Sequence, residues 1–280
     1  KSVIEQTYQN WEVILWDNQS TDGTASVVKA FADDRIRYFY APEHTTLGEA
    51  RNKALENIRG EYLSFLDSDD LWESNRLSAC LRCFKSDDVG LVFSNCSLLY
   101  SDGSEKVFLR VPQPEGDVLD EQLSNFTVTM GSAMVRASLL KQHGIVFDNR
   151  FSMIEDFDFF IRIMQIAKVA YCHERLFKWR VHKGSLTQQK FSLFEKEYRT
   201  FLKEFLEKRP EYEEKLCIKH FQAKVAYHEF LNSWRKSGTP RRKLLKPFLL
   251  LDRRLFVVFL LSFLGLEAFE MILKISGRQA

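Results

Sequence analysis

Residues 65–72 read Phe65-Leu66-Asp67-Ser68-Asp69-Asp70-Leu71-Trp72, an apolar strand that ends in three carboxylates. Like charges this close raise one another's pKa unless a cation or hydrogen-bond donors neutralise them, and the simplest partner is a divalent metal. Magnesium and manganese take one or two carboxylates and fill their remaining positions with water and phosphate oxygens. The cluster therefore points to a metal-bridged diphosphate. Asp67 and Asp69 lie two apart and face one side if the strand persists, whereas Asp70 turns away as a loop begins. A helix N-cap before Trp72 explains one aspartate and leaves two.

The surrounding chain alternates short apolar strands with helices. Residues 11–16 read as a buried strand, 24–32 as a helix carrying Val27, Val28 and Phe31, and 36–40 as a second strand. Residues 47–58 follow as a helix closed by Gly60, then 62–66 as a third strand. This alternation predicts an α/β fold on a mostly parallel sheet flanked by helices. In open parallel sheets the ligand crevice lies beyond the carboxyl ends of the strands, so Asp17 and the Asp67 cluster line one rim.

From Val89 the pattern changes to strands with turns: 89–94, a Ser101-Asp102-Gly103 turn, 106–111 and 132–136. Residues 155–166 predict a helix with acids at its positive end and Phe159, Ile163 and Ile166 along one face. A strand over 176–182 precedes helices from Leu193 onward. The expected organisation is a catalytic domain over 1–190 and a helical C-terminal region over 191–280. Lys1–Gln6 look like the end of an amphipathic helix with no element before it.

The chain has 280 residues, 45% of them hydrophobic, enough for a substantial core. Forty Lys and Arg against 38 Asp and Glu leave a net charge of +2, which gives no reason to expect nucleic acid as a partner. Five cysteines without framework spacing indicate a reducing compartment. Cys80 and Cys83 form a Cys-x-x-Cys with no second pair at zinc spacing. The Asn-x-Ser/Thr triplets at Asn18, Asn95 and Asn125 are read as chance matches. Arg235, Lys236, Arg241, Arg242, Lys243, Lys246, Arg253 and Arg254 gather just before the apolar run 255–266, which is too short to span a bilayer. A basic, apolar helix of this kind suits the surface of an anionic membrane; the alternative is a core or dimer helix beside solvated charges.

Several segments in order carry a family resemblance. Gln6–Thr24, Leu47-Gly48-Glu49-Ala50-Arg51-Asn52, Leu66–Asp70, Glu155-Asp156-Phe157-Asp158 with Arg162, and Arg180-Val181-His182-Lys183-Gly184-Ser185 resemble the family 2 glycosyltransferases with the A-type fold. The likeness spans residues 1 to about 187 and implies a Rossmann-type domain whose first strand is missing before Lys1.

It also implies roles. Asp17 and Asn18 meet the nucleotide, Asp67 or Asp69 the ribose, and Asp69 and Asp70 a Mg2+ or Mn2+ ion. Arg51 holds a phosphate or a carboxylate, Asp156 is the catalytic base, and His182 with Arg180 serves the leaving group. The donor becomes a nucleoside-diphosphate sugar, a UDP-sugar by preference, and the acceptor a hydroxyl of a growing bacterial surface glycan, free or lipid-linked. Inversion at the anomeric carbon and peripheral placement at the inner face of the cytoplasmic membrane complete the expectation. The Gln-x-x-Arg-Trp segment of processive members does not occur, which favours single additions. Specificity for the acceptor is expected in 125–153 and the helical tail.

Blander readings stand beside these. Asp17 and Asn18 suit an Asx-turn with Ser20 or Asp22 capping the next helix, Arg51 a surface ion pair, Asp156 a helix-dipole partner, and His182 a core histidine. As a whole, the chain is alternatively a non-catalytic scaffold that retains the fold. A phosphohydrolase forming an aspartyl-phosphate on Asp67 leaves Asp17, Asp156 and His182 without roles.

Overall fold

The computed structural model describes residues 1–182, 184 and 190–275. The chain divides into two units, Lys1–Leu119 with Thr127–His182, and Asp120–Phe126 with Lys183–Ala280.

In the first unit the expected alternation is present. Its elements are β1 (Val13–Asp17), α1 (Thr24–Ala30), β2 (Ile36–Tyr40), α2 (Leu47–Leu55), β3 (Tyr62–Ser64), β4 (Leu71–Trp72) and α3 (Arg76–Leu81). There follow β5 (Val89–Leu99), β6 (Glu105–Val107), α4 (Leu119–Ser124, which passes into the second unit), β7 (Ala133–Arg136), α5 (Ala137–His143), α6 (Glu155–Met164) and β8 (Lys168–Arg180). β1 and β2 pair in parallel, Val13 opposite Ile36 and Asp17 opposite Tyr40. The remaining strands form a second sheet in the order β3-β7-β5-β8-β4, with β6 on β5.

The α/β class holds, but the sheet is more mixed than the expected mostly parallel one. Among the described pairings β1–β2 and β5–β8 are parallel, whereas β3–β7, β5–β7, β5–β6 and β4–β8 are antiparallel. Parallel neighbours need a long crossover, which α1 supplies between β1 and β2 and residues 100–167, with α4, α5 and α6, supply between β5 and β8. At residues 100–104 the chain reverses tightly, with Gly103 at φ +80° and Asp102 Oδ1 accepting the Ser104 N–H at 2.9 Å, so β6 can only return antiparallel.

β5 and β8 are both longer than their apolar runs suggest. Polar Ser94, Asn95 and Ser97 interrupt β5, and the β5–β8 register shifts around Asn95. The Asn95 side chain fills that irregularity by accepting from the N–H groups of Cys96 (2.8 Å) and Leu109 (3.0 Å) and donating to the Leu109 carbonyl (2.7 Å). α6 buries Phe157, Phe159, Phe160, Ile161 and Ile163. Residues 1–6 form turns and not the end of a helix. The buried Gln6 side chain donates to the Glu73 carbonyl at 2.7 Å and accepts the Leu77 N–H at 3.0 Å, taking up an α3 donor that Asn75, the residue before the helix, leaves without a side-chain cap.

The second unit is helical, with α7 (Leu193–Lys208), α8 (Leu216–Ser237), α9 (Arg253–Leu261) and α10 (Leu266–Ile275). The apolar run 255–266 is not one helix, because Gly265 at φ +90° separates α9 from α10. Leu255, Val258 and Phe269 pack with Trp234, Phe230 and Leu231, while Phe256, Val257, Leu260, Phe263 and Leu264 are exposed. Among the described residues no helix is long and apolar enough to cross a membrane.

His228 on α8 lies among the rings of Phe191, Phe194, Tyr198 and Tyr227, with Nδ1 buried and unpartnered. Burial, reinforced by Lys224 and Arg235, pushes its pKa down to about 3. The unfolded chain takes up this proton near pH 6.5 and the folded chain does not, so stability is complete above that pH and falls between about 6.5 and 3, by at most roughly 1.4 kcal/mol per unit. His228→Phe is expected to flatten this acid limb in pH-dependent urea unfolding. Parallel limbs for the two proteins would refute the assignment.

Candidate functional site

The acidic loop follows β3 directly. Asp70 N–H donates to the Asp67 carbonyl at 3.1 Å, closing a tight turn. Asp67 is half-exposed and accepts Arg51 Nη2 at 3.2 Å. Asp69 is also half-exposed; its Oδ2 lies 2.8 Å from His182 Nε2 and its carbonyl accepts Arg180 Nε at 2.7 Å. Asp70 points inward, where its Oδ1 accepts the Arg180 backbone N–H at 2.7 Å. Burial pushes the Asp70 pKa up to about 7; the Arg180 N–H opposes this, and the charges of Asp69 and Asp67 add to it.

The far end of β8 is thus clasped onto the loop. β4 pairs antiparallel with β8, Trp72 opposite Phe177, which fixes where Arg180 arrives. Trp72 Nε1 donates to the Gly131 carbonyl at 2.9 Å, and a Cβ on Gly131 would stand 2.3 Å from the Phe177 ring, so this approach requires glycine.

Arg51 joins the loop to α6. Its Nη1 lies 3.0 Å from Glu155 Oε1, its guanidinium carbon 5.5 Å from the Phe147 ring centre, and its side chain is 13% exposed against 8% for Glu155. Asp156 follows Glu155 in the first turn of α6, where its Oδ1 accepts the Phe157 N–H at 2.7 Å. Asp158 pairs with Arg162 at 2.6 Å on the same helix.

Asp17 ends β1. Its carboxylate accepts Tyr38 Oη at 2.6 Å and the Ser20 N–H at 2.7 Å. Burial raises its pKa, but these donors outweigh burial and the net shift is downward, while the Tyr38 hydroxyl is pushed up to about 12. Asn18 donates to the Thr45 carbonyl at 2.8 Å and accepts the Thr45 N–H at 3.0 Å. It thereby latches the end of β1 to Thr45, the residue before Thr46, whose side chain caps α2. Asp22 accepts the Thr24 N–H at 2.9 Å at the start of α1.

Two groups of candidates are therefore drawn together by direct contacts: Arg51 with Asp67 and Glu155, the neighbour of Asp156; and Asp69 and Asp70 with Arg180 and His182. Asp17 and Asn18 connect to the first group through Thr45 and α2. Lys183 and Ser185 lie outside the described residues. Sequence reasoning missed Glu155 as the partner of Arg51 and Tyr38 as the donor to Asp17. The first was signalled by an acid beside Asp156; the second depends on β1–β2 register and had no local signal.

Comparison with known proteins supplies the family. The model described as glycosyl transferase family 2 matches residues 1–144. The chain belongs to that family. The three motifs that lie within the matched residues and the A-type fold agree with that membership, and it is a glycosyltransferase enzyme. Among its relatives is TuaG of Bacillus subtilis, a glycosyltransferase whose description connects it with teichuronic acid biosynthesis, 29% identical over 70% of this chain and 77% of that one. Another is WfgD of Escherichia coli, a UDP-Glc:alpha-D-GlcNAc-diphosphoundecaprenol beta-1,3-glucosyltransferase, 25% identical over 70% of this chain and 76% of its own. In fold, the chain is similar to S. aureus TarS in its complex with UDP-GlcNAc, with a TM-score of 0.62, 18% identity, and coverage of 85% of this chain and 69% of that one.

Proposed function

We propose that this glycosyltransferase moves a sugar from a nucleoside diphosphate, most simply UDP, to a hydroxyl of a bacterial surface glycan carried on a lipid, with inversion. The observation that carries this proposal is the convergence of Asp67, Asp69, Arg51, Arg180 and His182 at the strand ends, next to the helix start that bears Asp156. Relatives named for surface-glycan chemistry, one of them for a UDP-glucose donor and a lipid-diphosphate acceptor, favour the same substrates.

In the proposed step the Asp156 carboxylate takes the acceptor hydroxyl proton while that oxygen attacks C1 of the sugar. The bond from C1 to the diphosphate oxygen breaks on the opposite side, and its electron pair stays with the diphosphate. Arg180 and His182 face the developing charge. Asp17 and Asn18, at the end of β1, are proposed to border the nucleotide, and Asp67 the ribose.

A divalent cation suits the donors present. They are hard carboxylate oxygens, Asp69 keeps Oδ1 without a protein partner among the described residues, and the raised pKa of Asp70 is the strain a cation would relieve. Bound there by Asp69 and Asp70, Mg2+ or Mn2+ would neutralise the departing diphosphate. Among the described residues no three His, Cys, Asp or Glu side chains form a cage, so its other ligands would be water and phosphate.

Asp69→Ala is expected to weaken manganese-dependent UDP binding on the order of 100-fold, because a metal-to-phosphate interaction is worth several kcal/mol. Calorimetry that finds unchanged, metal-independent UDP affinity would remove the metal from the proposal. A screen of nucleotide sugars for metal-stimulated hydrolysis tests the donor class as a whole; no turnover with any nucleotide sugar would count against it.

The helical unit is proposed to rest on an anionic membrane, where a lipid-carried acceptor resides. Exposed Phe256, Val257, Leu260, Phe263 and Leu264 lie close in sequence to Lys243, Lys246 and Arg253, which are exposed and form no ion pair among the described residues. Each such charge near an anionic surface contributes about 1 kcal/mol. Co-sedimentation with phosphatidylglycerol vesicles is expected to fall for Phe263→Asp and at high salt. Equal recovery with purely zwitterionic vesicles would contradict the electrostatic part.

A further inference from the structure

The acidic loop leaves β3 after Ser64 and enters β4 at Leu71 and Trp72, and one buried side chain touches both of its edges. Arg76, the first residue of α3, is fully buried. Its Nη1 donates to Ser64 Oγ at 3.2 Å, and its guanidinium carbon lies 4.0 Å from the Trp72 ring centre. Nη2 donates to the Ala133 carbonyl at 2.8 Å. Pairing of β3 with β7 ends at Ser64 opposite Met134, so the guanidinium bonds both strands where the loop departs.

A buried arginine is an expensive way to hold a loop. The group stays protonated in proteins, and out of water its charge needs a counter-ion and well-placed acceptors. Among the described residues Arg76 forms no ion pair, and its Nε has no hydrogen-bond partner. Replacing such a charge by an apolar side chain of similar volume is often neutral or stabilising. Nor does α3 depend on the guanidinium for its place. The Glu73 N–H donates to the Leu176 carbonyl at 3.0 Å, Gln6 bonds the Glu73 carbonyl and the Leu77 N–H, and Leu77, Ala79 and Cys80 pack in the core. Trp72 is held separately, through Nε1 to the Gly131 carbonyl. What the guanidinium adds is a link from Ser64 to Trp72 across residues 65–71.

We propose that Arg76 is a positioning residue for sugar transfer, retained in the core at the expense of stability because it clamps both edges of the loop that carries Asp67, Asp69 and Asp70. It acts on these carboxylates through Ser64 and Trp72, by the bond to one and the contact with the ring of the other. The inference rests on the donor-binding role proposed above for the loop, where a displacement of about 1 Å can lower the rate on the order of 100-fold.

The test uses the intact chain and two variants. Arg76→Met removes the guanidinium and keeps an unbranched apolar stem, and Ser64→Ala cuts only the bond at the loop's entry. The first readout is residue-resolved amide hydrogen exchange without ligand. The Asp70 N–H, held by the Asp67 carbonyl, and the Arg180 N–H, held by Asp70 Oδ1, should exchange about tenfold faster in both variants, with the amides of β5 unchanged. The midpoint of urea unfolding of Arg76→Met should be unchanged or higher, and its affinity for UDP with Mn2+ should fall on the order of tenfold. Wild-type exchange at these two amides in either variant overturns the proposal, as does wild-type UDP affinity in Arg76→Met. A lowered unfolding midpoint or a misfolded Arg76→Met overturns it too, since Arg76 would then be a structural staple. Failure of UDP to bind the wild-type protein is a different result: it removes the donor reading, and the exchange rates still decide whether Arg76 clamps the loop.

Discussion

Asp156→Asn is expected to slow sugar transfer by about 10²- to 10⁴-fold, the range contributed by a positioned general base, while leaving UDP binding unchanged. The substitution suits the local geometry. An asparagine Oδ1 can still accept the Phe157 N–H now held at 2.7 Å, and Glu155 and Asp158 remain in the first turn to complement the helix dipole. What disappears is the capacity to take a proton. A single-turnover assay with saturating donor isolates that step, and a variant with wild-type turnover would exclude Asp156 as the base.

Arg51→Ala should have the largest effect on stability, on the order of 3 kcal/mol in urea unfolding. It strips the guanidinium from a nearly buried Glu155, and breaking one side of such a pair leaves a charge in a poorly solvated place. The contact to Asp67 adds little, since that carboxylate is half-exposed and water screens it. Arg51→Lys should recover only part of the loss, because one ammonium cannot reach both carboxylates as the planar fork does. A double-mutant cycle with Glu155→Gln isolates the pair, and additive losses would show that Arg51 stabilises the unit by other contacts. Transfer should fall in Arg51→Ala as well, because the same bond holds the start of α6 against the acidic loop.

Much of this site was legible before any coordinates. The Asp67–Asp70 cluster reads as the end of a strand because Phe65 and Leu66 precede it, and the chain does turn there. Arg51 falls on the helix announced by Thr46 and Gly48, and the acids of Glu155–Asp158 mark the start of α6. By contrast β8 was read from Leu176 only, because His173, Glu174 and Arg175 break its apolar pattern. Its true start at Lys168 emerges from parallel pairing with β5, far away in sequence. The length of the C-terminal apolar helix was misread for the opposite reason: hydropathy ran on through Gly265, whose backbone breaks the helix.

For Asn18 the sequence offered a nucleotide contact or a local Asx-turn; the local turn bonds are made instead by Asp17 and Asp22, and Asn18 bonds the backbone of Thr45, 27 residues away. Asp17 likewise required Tyr38, which only the β1–β2 register brings beside it.

Periodicity, caps and the order of short motifs are local properties, written in neighbours within a few residues, and they fixed the α/β class, the acidic strand end and the identity of the candidate residues. Which side chains meet was decided by the tertiary structure: β4 on β8 carries Arg180 and His182 to Asp69 and Asp70, and Arg51 of α2 reaches Glu155 at the start of α6. Such encounters join residues about a hundred positions apart, and no one-dimensional pattern encodes them, because strand pairing gains its energy from the neighbours a sheet supplies and not from the strand's own composition.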